Sequence, residues 1–312
     1  MIIWYFFSVG LGVNISETPL LIESLVELSS SPSASLFFSR FASLRYANKT
    51  RTGFPFLVRE SFDPPDLSDL FLVSVLGDDM IPQVETVLKE NRKSKNVFNS
   101  MSWLDFLSRY RSEELYMVSS IPLVLRDLLV FPKFLSCGGR GWGMDTPLLW
   151  LAGRRTQSVV HRDADDNYHC VVDGRKSFLL WSPESGVDGK EFGWGTGEGY
   201  GEFAQIDVDE VDLKKFPRWA TLPAWQGHLM PGDCIFIPEG WFHYVESADS
   251  RTLSFHVWFR SLGVWVENET CDDKLVDFPI SRCAFVDDPW TVETTLRDEM
   301  LKIPGRSSFC KI

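Results

Sequence analysis

The stretch from Trp150 to Pro183 places the strongest constraint on what this chain can fold into. It holds two short, strongly apolar runs joined by Asp173-Gly174, and Asp-Gly between such runs is the strongest local signal for a two-residue β-hairpin. Because side chains alternate between the two faces of a strand, one face would carry three residues from each predicted strand. These residues are Asn167, His169 and Val171, then Lys176, Phe178 and Leu180. The pattern therefore predicts a lysine on an otherwise largely apolar face.

Two residues of metal-ligand type lie just before these strands. His161 and Asp163 are two positions apart, so on an extended segment both side chains point the same way and place an imidazole beside a carboxylate. Taken alone, a histidine here would more often have a structural role. The hypothesis of a metal site therefore depends on a third ligand elsewhere in the chain.

A later segment supplies a third residue of this type. Residues 231–232 predict a tight turn, residues 234–237 predict a short buried strand, and His243 follows as an exposed histidine with aromatic neighbours. Two histidines and one carboxylate with open coordination positions are the ligand set of non-haem Fe(II) oxygenases. The sequence thus predicts an iron site at His161, Asp163 and His243.

Four motifs, in this order, resemble those of the JmjC-domain 2-oxoglutarate oxygenases. They are His-x-Asp at 161–163, the lysine of Gly174-Arg175-Lys176, the Gly-Asp turn with Pro238 ahead of Trp241-Phe242-His243, and the closing residues 254–259. The resemblance covers roughly residues 103–260 and points to the small cupin-type asparaginyl, arginyl and lysyl hydroxylases. It implies a mostly β protein, a double-stranded β-helix of the jelly-roll or cupin type, with an N-terminal helical layer and a short C-terminal helix.

The resemblance also implies an activity and its residues. The chain would be an Fe(II)-dependent dioxygenase that uses O2, oxidises 2-oxoglutarate to succinate and CO2, and hydroxylates a protein or peptide side chain. The catalytic and metal-binding residues would be His161, Asp163 and His243. Lys176 would bind the distal carboxylate of 2-oxoglutarate, because a cation without a competing acid suits a carboxylate inside a barrel. The remaining co-substrate residues would be Ser158, Asn167, Tyr116 and His256.

Other interpretations stay open at this point. An N-methyl-lysine demethylase would use the same iron chemistry, but no zinc module or reader domain accompanies the predicted barrel. A non-catalytic cupin scaffold would be expected to lack a metal ligand, and all three are present. Lys176 has the alternative of a solvated strand-edge lysine, and His169 and His228 are interpreted as structural. His256 departs from the small polar residue or asparagine that relatives often carry.

The resemblance divides the chain into three parts. Residues 1–100 are expected to form a helical and irregular region packed on the barrel, residues 101–262 the JmjC or cupin-like catalytic domain, and residues 263–312 a C-terminal extension. Ser102 precedes apolar residues at helical spacing and predicts the start of a helix. Residues 116–125 predict a strand that runs into a turn at Pro122, and they resemble the first barrel strand of JmjC hydroxylases.

Two further segments carry functional expectations. The glycine-rich residues 184–202, with Trp194 and Tyr200, predict a substrate-contacting flap beside the site. Residues 289–302 predict a short helix with proline in its first turn. C-terminal helices often pair in related hydroxylases, so the resemblance allows a homodimer, although this helix is short.

Composition limits which partners the chain is expected to bind and in which compartment it is expected. The chain has 31 Lys and Arg against 43 Asp and Glu, a formal net charge of −12, which argues against a broad basic face for nucleic acid. The first twelve residues are apolar but too short to span a bilayer. We expect no membrane span and a cytoplasmic or nuclear protein. The secretory pathway or ER lumen is the alternative, favoured by glycosylation acceptor patterns at Asn14, Asn48 and Asn268.

The six cysteines are scattered along the chain, without a Cys-x-x-Cys pair. This spacing predicts neither structural zinc nor a thioredoxin-like site. Cys170 and Cys234 fall inside predicted strands, where we expect them to be small core residues rather than disulfide partners.

Overall fold

The computed structural model describes residues 21–33, 36–41, 44–46, 49–51, 53–86, 99–135, 145–185, 189–193, 204–247, 249–259 and 278–282. These ranges contain two α-helices and 19 strands. The helices are α1 (Asp69–Leu76) and α2 (Trp103–Arg109). The strands are β1 (Leu21–Ser24), β2 (Val26–Leu28), β3 (Leu44–Tyr46), β4 (Lys49–Arg51), β5 (Phe56–Val58), β6 (Met80–Glu85), β7 (Asn99–Ser102), β8 (Tyr116–Ser120), β9 (Val130–Phe131), β10 (Leu148–Ala152), β11 (Thr156–Gln157), β12 (His161–Arg162), β13 (Asp166–Asp173), β14 (Lys176–Trp181), β15 (Pro223–Leu229), β16 (Cys234–Ile237), β17 (Phe242–Ser247), β18 (Thr252–Phe259) and β19 (Phe278–Pro279).

Two sheets form the body of the protein. The larger sheet has the strand order β2-β5-β16-β13-β18-β10-β8-β6-β7, and the smaller has the order β1-β15-β14-β17-β11 with β12 also paired to β17. Apolar residues of both sheets pack together between them, including Val171 and Ile235 of the larger sheet and Phe178 and Leu180 of the smaller. This arrangement confirms the predicted mostly β, double-stranded β-helix. The described N-terminal residues add α1 and also strands that extend both sheets.

The helices begin at serine caps, as the sequence predicts for α2. The Ser102 hydroxyl accepts a hydrogen bond from the N–H of Asp105 at 3.1 Å, which satisfies one of the N–H groups left free at a helix start. Ser68 caps α1 in the same way. The buried side chains of the two helices join the main apolar core together with residues of the larger sheet.

The Asp173-Gly174 turn joins the two sheets instead of closing a hairpin. β13 pairs with β16 and β18 in the larger sheet, whereas β14 pairs with β15 and β17 in the smaller, so the predicted hairpin is wrong. The glycine is required, because its φ is +74° and an added Cβ would lie 2.2 Å from the carbonyl oxygen of Arg251. The inward residues of β13 and β14 still meet, but they meet across the interior between the sheets. The ring centroids of His169 and Phe178 are 5.6 Å apart there.

Cys170 and Cys234 are disulfide-bonded, which contradicts their expected role as separate core residues. They are direct cross-strand partners of β13 and β16, and their Cα atoms are 4.1 Å apart. A close antiparallel pair of this kind brings both side chains to the same face. The disulfide therefore links two neighbouring strands of the larger sheet.

None of the helices in the described ranges is long and apolar enough to cross a membrane. Several predictions fall on other parts of the chain. The apolar opening, the glycosylation patterns at Asn14, Asn48 and Asn268, most of the 184–202 flap and the 289–302 helix lie outside the described residues.

Candidate metal centre

His161, Asp163 and His243 come together at the end of the smaller sheet. His161 of β12 and His243 of β17 are direct cross-strand partners, with ring centroids 4.2 Å apart. The ligand atoms of the three residues all lie within 4.8 Å of one another. Asp163 follows β12, and its two oxygens lie 3.9 Å from Nε2 of His161 and 3.7 Å from Nε2 of His243. Three donors thus converge on one small volume.

Backbone carbonyls orient both imidazole rings. Nδ1 of His161 donates to the carbonyl oxygen of Val159 at 2.8 Å, and Nδ1 of His243 donates to that of Trp241 at 3.0 Å. Because a carbonyl oxygen only accepts, each neutral ring carries its proton on Nδ1 and keeps a lone pair on Nε2. A second partner of this kind is typical of histidines that bind metals. In each ring, Nε2 is the nitrogen that lies within 4 Å of an Asp163 oxygen.

His243 is buried, contrary to the exposed position expected from the sequence. It is only 2% exposed, because β17 begins at Phe242 and runs between β14 and β11. Its neighbours on β17 face the opposite side of the sheet and pack in the outer apolar cluster. The aromatic residues beside the histidine therefore belong to a different layer from the histidine itself.

The Asp163 carboxylate is held by an indole. Nε1–H of Trp258 donates to Oδ2 of Asp163 at 3.0 Å, and the Asn167 amide lies 3.5 Å from the same oxygen. Burial by itself raises the pKa of Asp163, but His243, His161 and the Trp258 N–H outweigh burial and lower the pKa below its ordinary value. The carboxylate is therefore ionised at neutral pH, as a metal ligand must be.

Lys176 lies in the interior between the two sheets. β14 runs between β15 and β17 and Lys176 is 4% exposed, so the alternative of a solvated strand-edge lysine is wrong. Nζ is 5.6 Å from the ring centroid of Trp150, and no carboxylate in the described ranges forms an ion pair with it. Burial lowers the pKa of Lys176 to about 7. An anionic ligand would supply the charge partner that this lysine lacks.

The other predicted co-substrate residues occupy different positions. Tyr116 is buried beside Trp150, with ring centroids 5.6 Å apart. The Ser158 hydroxyl accepts from the N–H of Val245 at 2.9 Å and so fixes the edge of β17. Asn167 and His256 are buried on the inner face of the larger sheet. His228, which the sequence leaves as structural, is exposed and bonds Ser177 outside the barrel.

Several buried polar atoms of the larger sheet have no hydrogen-bond partner among the described residues. Five such atoms belong to β13 and β18: Asn167 Oδ1, His169 Nε2, Thr252 Oγ1, Ser254 Oγ and His256 Nε2. Leaving a buried polar atom without a hydrogen bond costs roughly 1–3 kcal/mol. The two histidines and the carboxylate are the ligand types that fit Fe(II). The buried lysine and these unsatisfied polar atoms fit a polar, anionic co-substrate.

Sequence reasoning missed three contributors to this site. Trp258 lies within the closing motif, but only the alternation of β18 shows that it faces Asp163. Trp150 contacts Lys176 through its ring and bonds Nδ1 of His256 through its N–H at 3.2 Å. The sequence indicates a structural role for His169, whereas its buried Nε2 has no hydrogen-bond partner among the described residues.

Comparison with known proteins finds a matching sequence family and several relatives of moderate identity. A sequence family described as a cupin-like domain matches residues 62–263. The chain is 29% identical to Lysine-specific demethylase JMJ31 of Arabidopsis thaliana over 143 residues, 44% of this chain and 24% of that protein. It is 32% identical to HSPB1-associated protein 1 of Homo sapiens over 141 residues, 43% of this chain and 28% of that protein. It is 35% identical to Jumonji C domain-containing protein 5 of Drosophila melanogaster over 145 residues, 45% of this chain and 34% of that protein. The matched segment thus spans between 24% and 34% of the length of these curated relatives.

Proposed function

This chain belongs to the cupin-like domain family, of the JmjC type, and on that premise we propose that it is an Fe(II)- and 2-oxoglutarate-dependent dioxygenase that hydroxylates a protein side chain. The observation that carries the proposal is the convergence of two Nε2 lone pairs and one ionised carboxylate within 4.8 Å. Two histidines and one carboxylate hold Fe(II) while leaving positions open for a chelating keto acid and O2.

His161, Asp163 and His243 would hold the metal. Bound there with 2-oxoglutarate and O2, Fe(II) would supply the oxidising chemistry that converts a substrate C–H bond to C–OH, with release of succinate and CO2. The protein's own contribution is to keep the three donors in position. Val159 and Trp241 orient the histidines through their carbonyls, so little reorganisation is needed when the metal binds.

Lys176 would anchor the distal carboxylate of 2-oxoglutarate. The Lys176 amine is buried and has no carboxylate partner in the described ranges, so an arriving carboxylate would favour its protonated form and gain an ion pair in a low-dielectric interior. Tyr116, Ser158, Asn167 and His256 are the further co-substrate residues of the proposal.

The proposed catalytic unit is one continuous part of the chain. Residues 101–262 would form the catalytic domain, with residues 1–100 and 263–312 packed around it or extending from it. The substrate would be a protein or peptide.

A second candidate is N-methyl-lysine demethylation. It is favoured by the names of two relatives, Lysine-specific demethylase JMJ31 and Lysine-specific demethylase 8 of Xenopus tropicalis. Hydroxylation of an N-methyl group gives a carbinolamine that releases formaldehyde, so the same residues would serve both reactions. Hydroxylation and demethylation would use the same metal site, so only the product distinguishes the two reactions.

The test is conversion of 2-oxoglutarate to succinate by the Fe(II)-loaded protein, with and without pools of methylated and unmethylated peptides. The parent protein and the control variant His228→Ala are expected to form succinate, and His243→Ala to form none. Peptides that gain one oxygen atom support hydroxylation, whereas loss of a methyl group with formaldehyde supports demethylation. Absence of succinate from the parent under all conditions would refute the proposal and favour a non-catalytic scaffold.

A further inference from the structure

His169 and His256 face each other inside the barrel. They are direct cross-strand partners of β13 and β18, their ring centroids are 5.5 Å apart, and they are 5% and 2% exposed. In both rings Nε2 is buried and has no hydrogen-bond partner within the part of the chain that the structure describes. A matched pair of unsatisfied imidazole nitrogens on one face of a sheet is costly for folding alone. A ligand that bonds both nitrogens would remove that cost.

The tautomer of His256 is fixed by Trp150. The indole N–H of Trp150 can only donate, and it donates to Nδ1 of His256 at 3.2 Å. A neutral His256 therefore carries its proton on Nε2, the atom that has no partner. Burial first, and then the charges of Lys176 and His243, lower the pKa of His256 to about 3 against the opposing influence of Asp163, so the ring is neutral. His256 thus presents a single N–H donor to the interior.

His169 packs against β14, the strand that begins at Lys176. Its ring packs against Phe178, with centroids 5.6 Å apart. Burial lowers the pKa of His169 well below its ordinary value, and among the charges that act on the ring Lys176 is the largest, ahead of His256 and His243. The ring is therefore neutral, and Phe178, against which it packs, lies two residues after Lys176 on the same face of β14. Its unpartnered Nε2 is available to a group bound by Lys176.

We propose that His169 is a co-substrate-binding residue, which donates an Nε2–H to the distal carboxylate held by Lys176, with His256 donating from the neighbouring strand. The inference rests on the proposed function and extends it to a histidine that has no metal-binding role. A carboxylate offers about four acceptor positions, so one ammonium and two imidazole N–H groups fit one anion. The two Nε2 atoms would then be donors already in position before the anion binds.

The test is binding of 2-oxoglutarate to Mn(II)-loaded protein without turnover, measured by isothermal titration calorimetry. His169→Phe keeps an aromatic ring against Phe178 but removes the donor, and His169→Leu is a second, smaller apolar replacement. Because a hydrogen bond to a charged group contributes roughly 1.5–3 kcal/mol, both variants are expected to weaken the 2-oxoglutarate Kd by about tenfold or more. Mn(II) affinity should stay at the parental value. The matched control is His228→Phe, outside the barrel, whose 2-oxoglutarate Kd should equal that of the parent.

The melting temperature of the ligand-free variants provides a second readout. Removal of an unsatisfied buried imidazole should leave the melting temperature equal to or above that of the parent, whereas loss of a structural histidine would lower it. Parental 2-oxoglutarate binding by both His169 variants would overturn the inference while leaving the proposed function intact. Failure of the Mn(II)-loaded parent itself to bind 2-oxoglutarate would instead overturn the proposed function.

Discussion

At the scale of single residues, the candidate metal site depends on how Asp163 is held. Trp258 donates its indole N–H to one oxygen of that carboxylate at 3.0 Å, and such outer partners orient a ligand for the metal. We expect Trp258→Phe to weaken Mn(II) or Co(II) binding by about 10–100-fold, the usual effect of removing an outer-shell partner.

Trp150→Phe is the matched control for this prediction. Trp150 also donates an indole N–H inside the barrel, but its acceptor is His256 and not a metal ligand. The Trp150→Phe variant should therefore bind Mn(II) or Co(II) with the same affinity as the parent. Equal metal affinities for Trp258→Phe and the parent in calorimetric titrations would show that Asp163 needs no indole to hold it.

The buried Lys176 predicts how stability depends on pH. Its pKa in the folded, ligand-free protein is about 7, against an ordinary value of 10.5. Between these two values the unfolded chain binds a proton that the folded protein does not, so this residue makes the free energy of unfolding rise with pH. The slope is at most about 1.4 kcal/mol per pH unit, and it disappears below pH 7, where both states are protonated.

Urea unfolding of the parent and of Lys176→Met at several pH values between 7 and 10 measures this contribution. The stability difference between the two proteins should narrow as the pH rises, because the cost of the buried charge fades only in the parent. Parallel stability curves across this range would mean that Lys176 keeps its ordinary pKa in the folded state.

At the scale of elements, the disulfide between β13 and β16 stabilises the sheet that carries His169 and Asn167. The two cysteines are 64 residues apart in sequence, and a cross-link over a loop of that length contributes roughly 4 kcal/mol by the chain-entropy estimate. We expect Cys170→Ala/Cys234→Ala to lower the free energy of unfolding by about 2–5 kcal/mol.

Denaturant unfolding under oxidising and reducing conditions tests this expectation. Reductant should destabilise the parent by more than it destabilises the double variant, and the response of the double variant measures what the remaining cysteines contribute. If the double variant were as stable as the oxidised parent, the disulfide would make no net contribution to the fold.

Local patterns predicted the elements better than they predicted how the elements pair. The serine cap at Ser102 is a local signal, and the structure confirms the helix that follows it. The Asp173-Gly174 dipeptide correctly marks a turn, but a turn residue does not determine whether the next strand pairs with the previous one or with a facing sheet. That choice depends on β15, β16, β17 and β18, which follow much later in the chain. Long-range pairing is also why the Cys170–Cys234 disulfide was missed.

At the scale of the whole molecule, the fold brings distant motifs into one interior. His161 and Asp163 precede β13, Lys176 begins β14, and His243 lies on β17, so the three motifs meet only after the two sheets close on each other. Their ordered residue types could be predicted because iron and a keto acid restrict the chemistry of each position. The roles of Trp258, Trp150 and His169 could not, because they depend on which side chains face inward across two sheets.

The central claim is that one interior holds both a metal and 2-oxoglutarate, with separate residues for each. The most direct measurement is titration of Mn(II), and then 2-oxoglutarate, into the parent, Asp163→Ala and Lys176→Ala. Asp163→Ala should lose metal binding and, with it, tight 2-oxoglutarate binding. Lys176→Ala should bind Mn(II) like the parent but lose about 3–5 kcal/mol, or roughly two to four decades, in 2-oxoglutarate affinity, because the distal carboxylate is left buried without a partner. Equal 2-oxoglutarate dissociation constants for all three proteins would contradict the account.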